Sequence, residues 1–359
     1  MSDVYGEPIS AGATPHAGEL TVQFDKAVDL ARIEGLLRQA RERGGGSPET
    51  VTTLNLVAIF FSPGQYERAR EALEVAGTLH PCRLIAVIAD QGVVQESLTA
   101  RLSVVRSGGT ITMERVVLSA TGRAVRHLES AMMGLMRADL PMVVVWGGRP
   151  QGDLLRRVVE SADRIVTDSG ARPPSYLSET ASLLAKGAPI GDLAWARIFP
   201  WQALAADTLD VPDLREHRGN IRRARVVCAG AIGAEGLLLL GWMQSRIKRL
   251  EVEIRCEGEA EEEKASASTP VPRAARLGLG HVKVFEFSAP PATFTIVREK
   301  DVLISQVKGD DDGFCAHRVR LPPEMPGRLL ALELKLLSGR DELYAQAVQA
   351  AATLLATRT

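Results

Sequence analysis

The sequence predicts an α/β protein in which an N-terminal domain built on a mixed α/β sheet is followed by a second, α+β domain. Three patterns carry that expectation. A β-branched and apolar run, a helix-period segment and a second apolar run follow one another over 52–89, the spacing of a parallel crossover unit. The same order recurs over 224–256. Beyond it, alternating segments at 281–287, 293–297, 302–305 and 315–320 suggest an antiparallel meander. A chain of 359 residues is long enough for two cores of this kind.

Along the chain, residues 1–50 read as a flexible leader and a short amphipathic helix at 28–41 that stops at Gly44-Gly45-Gly46, where backbone entropy disfavours continuation. Residues 51–190 form the N-terminal domain. Its first strand, 52–61, is dense in β-branched and aromatic residues, and Ser62-Pro63 starts the helix that runs to about Gly77. A strand at 82–89 follows His80-Pro81. Two strands at 98–105 and 110–119, joined through Ser107-Gly108-Gly109, read as an antiparallel pair. The segment 123–137 reads as one helix with Val125, Leu128, Met132, Leu135 and Met136 on its apolar face, ended by Pro141 before a strand at 142–146. A helix at 153–162 and a strand at 164–167 complete the set.

Residues 191–223 read as a connector rich in tryptophan and arginine, helix-like but punctuated by Pro200 and Pro212. The C-terminal domain spans 224–359. It has a strand at 224–229, a helix at 235–250 and a strand at 251–256, then an acidic, apolar-poor stretch at 257–272 that reads as an exposed loop. After the meander, two helices at 326–337 and 343–356 close the chain.

Composition excludes several function classes. Lys plus Arg number 43 against 44 for Asp plus Glu, so no net field draws the molecule to nucleic acid or to an anionic membrane. Cys82, Cys228, Cys256 and Cys315 lie far apart without zinc-ligand spacing, and the first three read as reduced, buried thiols. No metal or cofactor is expected. The polar N-terminus lacks a basic region followed by an apolar run, which points to a cytoplasmic protein. Neither a phosphate-cradling G-x-x-x-x-G-K-[ST] nor a G-x-S-x-G nucleophile elbow occurs, and the six histidines form no close pair.

Four local patterns remain. Ala231-Ile232-Gly233-Ala234-Glu235-Gly236 opens the helix after the strand at 224–229 and approximates a dinucleotide fingerprint, with Glu257 placed to hold a ribose. Ala231 replaces the first glycine, however, and Glu235 puts a carboxylate where a pyrophosphate would sit. Asp163 and Asp168 flank a strand and read as capping residues, and His127 reads as a structural histidine beside Arg123 and Arg126. Five arginines between Arg215 and Arg225, with Arg218, Arg222 and Arg223 foremost, suit either a phosphorylated ligand or an acidic patch on a partner; a solvated linker explains them equally well. Finally, Asp192, Trp195, Arg197, Pro200 and Trp201 concentrate in a few residues the side-chain types that dominate protein interfaces, with Asp192 as helix N-cap. Tryptophans packed between the two domains are the alternative.

That last segment, Asp192-Leu193-Ala194-Trp195-Ala196-Arg197 followed by Pro200-Trp201, resembles the D-L-x-W-x-R-x-x-P-W pattern of the OpcA family, the glucose-6-phosphate dehydrogenase assembly proteins. Leu240-Gly241-Trp242-Met243-Gln244-Ser245-Arg246-Ile247 is similar to the G-W-L-x-S-R helix of that family, and His80-Pro81-Cys82-Arg83 to its H-P-x-R. Further matches follow in order: Arg123-Ala124-Val125-Arg126-His127-Leu128, Asp139-Leu140-Pro141, Arg164 to Ser169, Glu333-Leu334 and Asp341-Glu342-Leu343-Tyr344. The sequence departs from the family at Val145-Trp146-Gly147-Gly148, which lacks a second tryptophan, and in its cysteines, so thiol-based redox control is not carried over. The resemblance implies a non-catalytic accessory protein that binds glucose-6-phosphate dehydrogenase, promotes its oligomeric assembly and raises its activity, supporting NADPH supply in the oxidative pentose phosphate pathway. Self-association stays open. Two readings of the residues alone also stay open: an NAD(P)-binding oxidoreductase using the Gly233 and Gly236 turn, and a sugar-phosphate sensor using the arginine cluster.

Overall fold

The computed structural model describes residues 19–25, 27–43, 52–107, 110–148, 157–158, 160–257, 280–309, 314–321, 325–336 and 340–357. Two mixed sheets with helices packed on them make up the α/β architecture. The first sheet has eight strands: β1 (Leu20–Gln23), β2 (Leu54–Phe60), β3 (Cys82–Asp90), β4 (Ser97–Ser107), β5 (Thr110–Thr121), β6 (Met142–Trp146), β7 (Arg164–Thr167) and β8 (Ile190–Asp192). Their order is β1-β4-β5-β3-β2-β6-β7-β8. From β5 to β8 every neighbouring pair is parallel, and β4 and β1 add an antiparallel edge.

Alternation along β2 and β3 sorts the core into two faces. Val57, Ile59, Ile85 and Val87 point into one hydrophobic cluster, with α1 (Leu30–Arg43) and α3 (Leu128–Leu135) packed on it through Ile33, Leu37, Leu128 and Met132. Leu56, Ala58, Phe60, Leu84 and Ile88 point into the other, covered by α2 (Pro63–Leu79) and α7 (Pro326–Leu334). Burial on both faces explains why these strands are continuous apolar runs. Ser62 caps α2 as expected, its side chain accepting from the Gln65 N–H.

The second sheet holds β9 (Arg223–Ala229), β10 (Glu251–Glu257), β11 (Val282–Ala289), β12 (Ala292–Glu299), β13 (Val302–Lys308) and β14 (Phe314–Arg320) in the order β10-β9-β11-β12-β13-β14. Only β9 and β10 are parallel, joined through α6 (Ala234–Arg246); the rest is the antiparallel meander. Three further helices, α4 (Tyr176–Ala185), α5 (Leu193–Asp210) and α8 (Glu342–Ala356), complete the fold: α5 lies between the sheets, touching β8 of the first and β12 to β14 of the second as well as α6 and α7, and α8 packs on both α4 and α6. Gly241 makes the last contact feasible, because a Cβ there would collide with the Ala347 carbonyl of α8. No helix among the described residues is long and apolar enough to cross a membrane.

Three expectations are corrected. The segment 123–137 is not one helix: Gly122, at φ +58°, turns the chain out of β5, residues Gly122–His127 wind as a 3₁₀ helix, and α3 proper begins at Leu128. It stops at Leu135, ahead of Pro141, because the buried Asn55 amide of β2 binds the following loop, donating to the Arg137 and Leu140 carbonyls and accepting from the Arg137 N–H. Pro200 does not interrupt its helix either. It forfeits one backbone hydrogen bond, while Ile198, Trp201, Gln202 and Leu204 on both sides are buried and hold α5 together. Cys82 and Cys228 are buried thiols, but Cys256 is half-exposed. The side chain of Cys315, half of the helix expected at 153–162, and the acidic stretch beyond Glu257 lie outside the described residues.

Candidate functional site: the segment from Asp192 to Trp201 and its surroundings

Asp192 ends β8, the last strand of the first sheet, and is fully buried. Its Oδ1 accepts from the N–H groups of Ala194 (2.9 Å) and Ser169 (3.0 Å), so it caps α5 as the sequence predicted and also fastens the turn after β7. Its Oδ2 accepts from the Tyr344 hydroxyl at 2.9 Å. Burial pushes the Asp192 carboxyl up and the nearby Asp168 charge adds to this, with the bonds from Ser169 and Ala194 opposing. The same burial raises the Tyr344 phenol well above its ordinary range.

One turn later, half-buried Trp195 donates from Nε1 to Asp341 Oδ2 at 3.0 Å, and its ring lies 5.6 Å from that of Tyr344. Asp341 is itself the cap of α8. Trp201 is only 3% exposed, in the same core cluster as Phe285, Phe287 and Phe294 of the second sheet. Asp192 and Trp201 therefore present no surface to a partner. Pro200 is half-buried, and its neighbour Phe199, which the sequence reading passed over, is 66% exposed.

Arg197 organises the charges. Its guanidinium lies between two carboxylates, bonded to Asp168 beyond β7 and, from Nε, to Glu235 Oε1 in the first turn of α6 at 2.7 Å. Glu235 Oε2 meets His281 Nδ1 at 3.1 Å. These four side chains, drawn from both halves of the chain, line a cleft of about 200 Å³. For Glu235 burial acts upward, but the His281 hydrogen bond and the Arg197 charge outweigh it and hold the carboxyl below its usual range. Arg197 is shifted upward because the two carboxylates overcome its own burial. No spacing in the sequence links positions 168, 197, 235 and 281, so only the fold reveals this quartet.

Packing accounts for the near-fingerprint that precedes Glu235. A Cβ on Gly233 would lie 2.6 Å from the Gly280 carbonyl oxygen, and one on Gly236 would lie 2.6 Å from the Cys228 sulfur. The first glycine thus admits a neighbouring backbone and the second lets α6 sit on β9. The Gly280 backbone crowds the turn at Gly233, and the first turn of the helix already carries the Glu235 carboxylate, which disfavours a pyrophosphate there.

The structure does not gather the arginine cluster. Arg218 pairs with Asp210, Arg223 with Glu251 at 3.1 Å, and Arg222 donates to the Gly219 and Ile221 carbonyls. Asp168 accepts from the Gly170 N–H, the capping role expected of it, whereas Asp163 accepts from Met142 N on β6. Other motif residues are structural. Arg83 meets the fully buried Glu114 at 2.8 Å, and Arg164 on β7 meets Glu333 on α7 at 2.5 Å, both partners of each pair being buried.

Two protein-family descriptions match the chain in series: the glucose-6-phosphate dehydrogenase subunit N-terminal domain over residues 74–182 and the corresponding C-terminal domain over 188–348. Of curated relatives, a provisionally named OxPP cycle protein OpcA from Synechocystis sp. is 31% identical over 196 residues, which are 51% of this chain and 41% of the relative. One of the same name from Nostoc punctiforme is 30% identical over 178 residues, 47% of this chain and 38% of the relative. The match therefore spans about two fifths of these relatives' length. Among solved structures, a 3-ketoreductase from Actinomadura kijaniata in complex with NADP aligns over 86% of this chain and 97% of its own with 11% identity and a TM-score of 0.45, a likeness too slight to carry an argument. The two family matches, consecutive and together covering most of the sequence, identify the chain as a member of the OpcA family of glucose-6-phosphate dehydrogenase assembly proteins.

Proposed function

We propose that this chain is a non-catalytic accessory protein that binds glucose-6-phosphate dehydrogenase, promotes its oligomeric assembly and raises its activity, so supporting NADPH production by the oxidative pentose phosphate pathway in the cytoplasm. The observation that carries the reading is the pair of dehydrogenase-subunit matches running in series over 74–182 and 188–348. One point of geometry supports it: the turn at Gly233 and Gly236, the best sequence-level candidate for a nucleotide-dependent enzyme, is crowded by the Gly280 backbone and carries the Glu235 carboxylate, which pairs with Arg197.

In this proposal α5 supplies the contact, with a division of labour along it. Asp192, Arg197 and Trp201 anchor the helix between the sheets, while Phe199, Pro200 and the accessible edge of Trp195 meet the dehydrogenase. A large exposed aromatic next to a rigidly held helix suits an interface anchor, since little side-chain freedom is lost on docking. Activation then requires tighter binding to the active state of the enzyme than to the inactive one.

The test is to mix the purified chain with the dehydrogenase from the same genome and follow co-elution together with dehydrogenase activity. A complex with altered activity supports the reading. Neither a complex nor a change in activity, under reducing and oxidising conditions alike, sinks it.

A further inference from the structure

Beyond association with a dehydrogenase, we propose that the first sheet carries a small-molecule site for a nucleoside phosphate. The site is a cavity of about 660 Å³ outside the carboxyl ends of three mutually parallel strands. Ile59 near the end of β2, Val87 and Ala89 near the end of β3, and Gly122 just past β5 form one side of it. In open α/β sheets the carboxyl ends of parallel strands are where ligands bind, because the loops there diverge and leave a crevice. The volume falls within the range of sites that enclose a drug-sized molecule.

Its lining has two chemistries. The floor is apolar, with Val125, Leu128 and Met132 closing over the strand residues. Among the described residues the rim carries Arg123, Arg126 and Arg157 against a single carboxylate, Glu129, which is committed to Arg157 at 2.7 Å. Arg123 is 86% exposed and reaches Glu96 only at 4.0 Å. Among the described residues no carboxylate lies within ion-pair distance of Arg126, which donates to the neighbouring His127 ring instead. Two cations thus stand at the mouth of an apolar cavity without a firm carboxylate partner among the described residues. A bare sugar phosphate would leave the apolar floor unused, and an uncharged aromatic would leave the arginines unused. A nucleoside phosphate matches both, its base on the floor and its phosphate held by planar guanidinium donors. The glycine-rich loop of dinucleotide folds is absent here, so side chains and not backbone N–H groups would hold the phosphate.

This site also gives Arg123-Ala124-Val125-Arg126-His127-Leu128 a shared purpose. The 3₁₀ turn and the start of α3 that contain these residues put Val125 and Leu128 toward the floor and both arginines on the rim.

The test needs no dehydrogenase, so it stands apart from the proposal above. The full chain is titrated calorimetrically with AMP, GMP, CMP and UMP, and then with adenosine and with inorganic phosphate as separate probes. The expected result is saturable binding of at least one mononucleotide, stronger than its nucleoside or phosphate alone. The Arg123→Glu/Arg126→Glu variant should bind it at least about tenfold more weakly, with an unchanged unfolding midpoint because both side chains are exposed. An Arg218→Glu/Arg222→Glu control should bind as the parent does. The proposal is overturned if no mononucleotide binds at millimolar concentration, if the charge reversal leaves affinity intact, or if phosphate alone binds as tightly as the nucleotides.

Discussion

Truncating Trp201 separates an anchoring residue from a docking residue on the same helix. The indole is 97% removed from solvent, given its 3% exposure. With about 200 Å² for such a side chain and about 25 cal/mol for each Å² of apolar area, its burial contributes roughly 5 kcal/mol against an extended unfolded chain. Alanine keeps a small part of that, and the unfolded ensemble is less open than the extended reference, so Trp201→Ala should cost about 3–5 kcal/mol. Urea unfolding followed by circular dichroism measures the loss as a lowered midpoint with an unchanged slope. Phe199→Ala, two residues away and 66% exposed, should stay within about 0.5 kcal/mol of the parent while weakening co-elution with the dehydrogenase. Finding Trp201→Ala within about 0.5 kcal/mol of the parent would refute the anchoring argument. A Phe199→Ala chain that binds as the parent does would remove α5 from the interface.

The buried pair of Arg164 and Glu333 should be asymmetric. Glu333→Leu leaves a guanidinium that cannot shed its charge and should cost about 3–5 kcal/mol, whereas Arg164→Met leaves a carboxyl that burial already pushes toward protonation and should cost less; equal losses in urea unfolding would count against this. Glu235, held below the usual carboxylate range by His281 and Arg197 against its own burial, contributes stability that is present above the unfolded carboxylate pKa and lost as pH falls through the folded one. Glu235→Gln should therefore be less stable than the parent at neutral pH, with the gap narrowing on acidification; a gap independent of pH across the acid range would show that the ion pairs are not its source. Burial raises the thiol of Cys82 to about 12 and, as the largest influence, that of Cys228 to about 11, so both should resist iodoacetamide at mildly alkaline pH until the chain is unfolded. Mass spectrometry of the native protein checks this directly, and rapid labelling of either would contradict it.

The regular part of the fold was legible because period and burial coincide. β2 and β3 are buried almost throughout and nearly continuously apolar since both faces are covered, and β11 and β12 of the meander alternate because neighbouring residues take opposite faces of the sheet. The helix boundaries that misled were set by tertiary contacts. Asn55, distant in sequence, ends α3 through its amide, and burial between the two sheets keeps α5 helical across a proline that would stop an isolated helix. The candidate segment was visible as composition, because tryptophan, arginine and aspartate crowd together in a chain with 4% aromatics. Its inward orientation was not, since interface anchors and core anchors use the same side chains. The quartet of Asp168, Arg197, Glu235 and His281 was invisible for a simpler reason. Locally Asp168 reads as a cap, Arg197 as an interface residue and Glu235 as a carboxylate at a helix start, while His281 stands alone, and the association depends on the fold bringing distant positions together.

The C-terminal helices also set a schedule for how the polypeptide matures. Glu333 reaches Arg164 across 169 positions, Tyr344 reaches Asp192 across 152, and Asp341 reaches Trp195 across 146. During synthesis the first sheet is complete long before these partners leave the ribosome, so the part of its second core cluster that Leu330 and Leu334 of α7 cover, and the buried charges of Arg164 and Asp192, must wait uncovered. Contacts of such long range slow folding and lengthen the interval in which apolar surface is open to other chains. The nascent protein therefore has a built-in window of vulnerability that closes only when α7 and α8 arrive, and within that window it would depend most on a chaperone.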